Sequence, residues 1–247
     1  MNIDRIAPTR RPTSSVVQRQ RWAQLLFLHW RVDARALREL VPAELAIDTH
    51  EGDAFVGVVP FTMTGVRPVW APPVPGISNF HETNVRTYVV DRNGNPGVWF
   101  FSLDAASRVA VTLARTFWHL PYHFAQMSLS TGSSGETVYE TNRLWPKPLP
   151  AHFSARYAAS GEAFHALAGT TEHFLAERYI LFAQHSDGRL VRGRVHHTPY
   201  PLQAVKLLEW RESLLAASGI VRPDGEPLAH YASEVSVEIF GLENAAG

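Results

Sequence analysis

Phe80-His81-Glu82-Thr83-Asn84-Val85-Arg86-Thr87-Tyr88-Val89 is the stretch on which the reading of this chain turns. It is rich in β-branched and aromatic residues and lacks Gly and Pro. Asn93-Gly94, a strong hairpin signal, follows shortly after. The pattern predicts a strand over residues 82–91 that turns and returns over 98–103. Successive strand side chains point to opposite faces. Glu82, Asn84, Arg86 and Tyr88 therefore share one face, and Thr83, Val85, Thr87 and Val89 the other. A polar strip in an apolar region reads two ways. It lines a cavity, where Arg86 clamps a carboxylate and Glu82 accepts protons or hydrogen bonds. Or it faces solvent, where its charges contribute little. In a cavity, a buried Arg86 is expected to need a carboxylate, with Glu82 and Glu177 as candidates.

Outward from that strip, strands are expected over residues 22–31 and 54–63. Asp33 offers an N-cap to a helix over 34–41, which Pro42 stops. Residues 66–75 hold Pro68, Pro72, Pro73 and Pro75 around Trp70, and read as a stiff loop. A helix over 105–118 is expected to bury Val109, Ala110, Leu113 and Phe117 along one face before Pro121 ends it. Strand-like runs follow at 123–130, 136–141, 153–158, 174–183, 190–196 and 232–240, with a helix over 201–209. Many strands and few helices predict an α+β fold on a curved antiparallel sheet or barrel. Residues 1–20 are expected to form a mobile arm that becomes ordered near Trp22, and 21–247 a single domain.

The 247 residues are 45% hydrophobic and 19% charged, with 23 basic and 23 acidic side chains and no Cys. This is globular composition. The charge balance argues against a nucleic-acid partner. The lack of Cys excludes disulfide frameworks, Cys-bearing zinc sites and thiol catalysis. The longest apolar runs, 22–30 and 54–61, fall short of the ~20 residues of a membrane helix. No signal-peptide pattern follows the N-terminal arginines, so a cytoplasmic location without membrane attachment is the expectation.

There is no His-Glu-x-x-His, Walker loop or Gly-x-Gly-x-x-Gly run. The run Thr131-Gly132-Ser133-Ser134-Gly135 reads as a loop, not a nucleophile elbow. His119 and His123 have metal-pair spacing but are separated by Pro121, and the adjacent His196 and His197 point to opposite strand faces. No metal and no cofactor are expected. The candidate ligand-lining residues are Glu82, Asn84 and Arg86, with Arg115, Glu177, Tyr179 and His196 beside them. Of the basic residues only Lys147 and Lys206 are lysines.

The opening stretch resembles the YqjF-like family, DUF2071, of unknown function. So do Phe100-Phe101-Ser102-Leu103-Asp104-Ala105, Leu120-Pro121-Tyr122, Glu177-Arg178-Tyr179 and His196-His197-Thr198-Pro199. The resemblance spans residues 20–240. That family is distantly similar to acetoacetate decarboxylases, whose opening resembles Arg31-Val32-Asp33, Ala36-Leu37, Val41-Pro42, Leu45 and Ile47-Asp48. The resemblance implies a curved antiparallel β-barrel or cone with a central cavity and peripheral helices, with Glu82 near the cavity carboxylate. Acetoacetate decarboxylases use a lysine activated by a neighbouring cation. The corresponding stretch, Arg115-Thr116-Phe117-Trp118-His119-Leu120-Pro121, contains no lysine. The expectation is a small-molecule binder, or an enzyme without a Schiff base, whose cavity takes an anionic or carbonyl-bearing ligand. The alternative is a non-catalytic protein whose polar strip is a structural network or a homo-oligomer surface.

Overall fold

In the computed structural model, which describes residues 3–133 and 135–245, the first strand is β1 (Val16–Val32). Met1 and Asn2 of the expected arm, Ser134 of the expected loop, and Ala246 and Gly247 lie outside the described residues. Strand β1 begins ahead of Trp22, and Val16 and Gln18–Gln20 pair with residues 237–240. Further upstream, Arg5 contacts Asp48, and Arg11 donates to Glu238 at 2.6 Å.

Helix α1 (Ala34–Arg38) follows, capped by the Asp33 carboxylate, which accepts from the Arg35 amide at 2.8 Å. Next come β2 (Ala46–Ile47), β3 (Ala54–Pro68), β4 (Phe80–Val90) and β5 (Pro96–Ala105). Helix α2 (Arg108–Leu113) continues as a π-helical turn, Ala114–Trp118. Then come β6 (Tyr122–Thr131), β7 (Thr137–Trp145), β8 (His152–Phe164), α3 (Thr171–Ala176) and β9 (Ile180–Gln184). The chain ends with β10 (Leu190–His197), β11 (Leu202–Glu212), α4 (Leu214–Ala217), β12 (Leu228–Phe240) and β13 (Glu243–Asn244).

All the strands belong to one sheet, ordered β13-β10-β9-β5-β6-β7-β8-β11-β12-β1-β3-β4-β2. Further pairings of β4 with β5 and of β10 with β12 bring the ladder back on itself. Neighbours are antiparallel except around β5, which runs parallel to β6 and to β9. The curvature has local causes. Gln24 adopts a left-handed φ of 55°, and the β1–β3 register jumps between Ala23 and Leu28. Gly65, at a φ of 61°, sits in a second register break of the same ladder. Each bulge bends the strand and re-phases its side chains.

Three expectations are corrected. Residues 202–209 of the expected helix form a strand, and β11 alternates between less and more exposed positions over most of its length. Residues 174–176 belong to α3, because the Thr170 hydroxyl caps that helix by accepting from the His173 amide at 3.3 Å. The β-propensity of the run asserts itself only from Ile180. The expected helix over 105–118 begins at Arg108, since Ala105 still pairs in β5. Its apolar stripe is not buried: Leu113 is 50% and Phe117 65% exposed, while Val111 is the buried residue of α2.

The sheet separates two large cores. On the inner side Leu25, Phe27, Val59, Phe61 and Leu103 cluster, and on the other Leu26, Leu28, Trp30, Val85, Tyr139 and Phe153. The alternation of β1 and β4 assigns residues to these two sides.

Candidate functional site

The inner side holds a cavity of about 520 Å³ that opens to solvent at one end. Its walls come from β1, β3, β4 and β5, and α2 with the turn after it contributes Ala110, Ala114 and Trp118. The bulge at Gln24 decides which β1 residues take part. Before it Gln18, Gln20 and Trp22 line the cavity, and after it Leu25 and Phe27 do. Uninterrupted alternation places Trp22 and Leu25 on opposite faces. On β5 a second re-phasing occurs, between the Val85–Ser102 and Arg86–Phe100 pairs. It brings both Phe100 and Leu103 to the cavity.

Glu82, Asn84 and Arg86 all line this cavity, and all three are buried. Val85, between them, packs into the opposite core. Thr83 and Thr87 bond away from the cavity, to the Thr141 hydroxyl and the Phe55 carbonyl, each at 2.8 Å. The strip therefore lies on the cavity wall, with its three side chains buried.

Glu82 accepts a 2.6 Å hydrogen bond from the Tyr122 hydroxyl. Burial pushes its carboxyl up to about 8; the Tyr122 and Asn84 hydrogen bonds oppose the rise, and nearby Asp104 adds to it. Glu82 is thus largely a neutral acid at pH 7. The Asn84 carbonyl oxygen is buried without a partner.

Among the described residues none supplies the carboxylate expected for Arg86. Its Nη2 donates to the Leu175 carbonyl at 3.0 Å and to the Tyr88 hydroxyl at 3.4 Å. Its guanidinium lies 5.6 Å from the Phe27 ring centroid. Its Nε is buried without a partner. Neither expected carboxylate reaches it: Glu82 takes Tyr122, and Glu177 accepts from the Tyr179 hydroxyl at 2.5 Å and the Tyr200 amide at 2.9 Å. Tyr88 continues the strip below Arg86, bonded to His29 Nε2 at 2.6 Å and the Leu175 carbonyl at 2.7 Å. Burial and the Arg86 charge hold His29 well below the usual histidine range.

The other candidates do not line the cavity. Arg115 donates to the Tyr122 carbonyl at 2.7 Å and lies over Trp145. Glu177 acts behind the wall, holding the backbone of Tyr200, whose side chain does line the cavity. Tyr179 stacks on His197 at 4.5 Å. His196 faces a separate groove shared with Arg11, Arg19 and Arg67. His119 meets His185, and His123 meets the Pro146 carbonyl, so the two do not form a metal pair. Among the described residues no group of three His, Asp or Glu side chains is placed to hold a metal ion. Neither Lys147 nor Lys206 lines the cavity, and both are exposed.

Sequence reasoning missed Tyr122 and Tyr200 as wall residues, although Tyr122 lies in a stretch it had singled out and Tyr200 directly follows another. It also missed the buried pair of Asp104 and Arg143, joined by two 2.7 Å hydrogen bonds. Asp104 lies within a quoted stretch, but nothing local marks Arg143 as its partner. No helix among the described residues is long and apolar enough to cross a membrane.

Residues 19–236 match the family DUF2071, described as an uncharacterized conserved protein. The uncharacterized protein YqjF of Bacillus subtilis (strain 168) is 38% identical over 232 residues, covering 94% of this chain and 93% of that protein. Among solved structures, the fold is similar to the enduracididine biosynthesis enzyme MppR complexed with pyruvate. That match has a TM-score of 0.64 and 14% identity, over 95% of this chain and 92% of that one. An acetoacetate decarboxylase-like enzyme from Sphingomonas wittichii RW1 aligns with a TM-score of 0.62 and 15% identity, over 93% of each chain.

Proposed function

The chain belongs to the DUF2071 family, with an acetoacetate-decarboxylase-like fold, and from that premise we propose that its cavity binds a small organic carboxylate at Arg86. One observation carries this reading. Arg86 is a buried cation on the cavity wall with no carboxylate partner among the described residues and an unpartnered Nε. Desolvating a guanidinium without a counter-charge is costly, and an incoming carboxylate supplies that charge. The neutral Glu82 adds no repulsion at pH 7, and with Tyr122 it offers a polar group to a carbonyl on the ligand. MppR, of similar fold, is complexed with pyruvate, itself a carboxylate bearing a carbonyl. With no lysine on the wall, the chemistry in this reading is non-covalent recognition or proton transfer through Glu82.

Calorimetric titration with butyrate and benzoate tests the reading. Saturable binding that disappears in Arg86→Met is the expected result. Binding that is indifferent to Arg86, or no binding of either acid, overturns it.

A further inference from the structure

We propose that the ligand is an amphiphilic monocarboxylate, whose apolar chain fills the cavity and ends between the loop of residues 69–79 and helix α2. The inference rests on the Arg86 reading and extends it to the ligand's other end.

The cavity is apolar along most of its wall, from Phe27 and Phe61 past Leu103 and Leu120. Its volume of about 520 Å³ greatly exceeds what a two- or three-carbon acid needs and falls in the ~300–1,000 Å³ range of small-molecule sites. Its charged wall residues are few. Glu82 and Arg86 lie on β4, and Arg67 turns its Nη1 to the Gly65 carbonyl at 3.3 Å. Arg67 is only half-buried and keeps its hydration, so its need of a counter-charge is weaker than that of the buried Arg86.

The mouth carries the stronger argument. Trp70, Val74 and Ile77 from the loop and Val109 and Leu113 from α2 all line the cavity, yet all are exposed, Trp70 by 84%. Two separate elements thus present large apolar side chains to one opening. Apolar surface gathered at a site marks an interaction. A chain reaching from Arg86 to that opening covers it while its carboxylate neutralises the buried cation, so a single ligand meets both features.

The test is calorimetry on the full chain with straight-chain carboxylates from butyrate to decanoate, with decanol as the uncharged control. At roughly the transfer free energy of a buried methylene, affinity is expected to rise about three- to fourfold per CH₂. Decanol is expected to bind at least tenfold more weakly than decanoate, and Arg86→Met to abolish binding of every acid. Trp70→Ser and Leu113→Asp change exposed residues. Each is expected to reduce the decanoate-to-butyrate affinity ratio at least tenfold, while Val221→Asp, exposed and away from the cavity, does not change it.

Acids that bind through Arg86 with no gain from chain length overturn the amphiphile inference and leave the Arg86 reading standing. Equal binding of decanol and decanoate, unaffected by Arg86→Met, overturns the Arg86 reading and the inference with it. Binding of no acid at any length overturns both. Mouth variants that leave the ratio intact but change the sedimentation coefficient assign the apolar mouth to a second copy of this chain, and the inference falls.

Discussion

The Tyr122 hydroxyl lies 2.6 Å from Oε2 of Glu82. The bond joins the start of β6 to the wall strand β4, and both residues are buried on the cavity. Burial raises both groups; the Glu82 carboxylate raises Tyr122 further, while the hydrogen bond from Tyr122 opposes the rise in Glu82.

Stability should therefore depend on pH through Glu82. Its folded value, about 8, lies above the ordinary 4.5, so the folded state keeps a proton that the unfolded chain releases. The stabilisation from the neutral carboxyl is full below about 4.5 and is lost as pH rises through about 8. Glu82→Gln stays neutral throughout. Relative to the parent it should gain on the order of a few kcal/mol between pH 5 and pH 8. Denaturant titrations at both pH values check this, and a constant difference between the two proteins refutes it.

Carboxylate affinity should fall above pH 8. Ionised Glu82 places a negative charge on the wall that holds Arg86, and the loss should be absent in Glu82→Gln. Butyrate titrations from pH 6.5 to 9 measure the difference between the two profiles.

Arg86→Met should leave the fold about as stable as the parent, within roughly 1 kcal/mol, or raise its stability. Had Arg86 anchored a carboxylate, as the sequence suggested, a loss of about 3–5 kcal/mol would follow from the stranded charge. The described residues provide no such partner, and the Leu175 carbonyl keeps its bond from Tyr88. Thermal and chemical melts of the variant decide between the two figures.

Asp104→Ala should be the damaging charge deletion. Arg143 and Asp104 are bonded bidentately, with side chains 1% and 0% exposed. Removing one partner leaves the other buried and unpaired, at about 3–5 kcal/mol. A double variant replacing both with apolar residues should recover much of that loss, and recovery is read from the same melts.

On α2 the exposed and buried positions reverse the expectation from periodicity. Leu113→Ala should cost less than about 1 kcal/mol, because its side chain is half exposed. Val111→Ala should cost about 2 kcal/mol, because its side chain is buried. Circular-dichroism melts of the two variants rank them.

The sequence by itself determined the elements with strong local signals. Asp33 caps α1 as expected, Asn93-Gly94 lies in the turn after β4, and strict alternation places Glu82, Asn84 and Arg86 on one side and Val85 on the other. These follow from capping chemistry, turn chemistry and strand period, which are properties of neighbouring residues. The sequence could not say what that polar face looks onto, since alternation is identical for a wall and a surface. Only the tertiary structure decided that. The bulges at Gln24 and near Val85 shift the phase of β1 and β5, so that Trp22 joins Leu25 and Phe100 joins Leu103 on one cavity. The same holds for partners. Arg143 meets Asp104, Tyr122 meets Glu82, and Arg86 meets no carboxylate among the described residues, across separations that no local pattern encodes. The apolar stripe of α2 was legible as a stripe, but whether it meets a filled core or an open cavity is set by how the curved sheet spaces its walls.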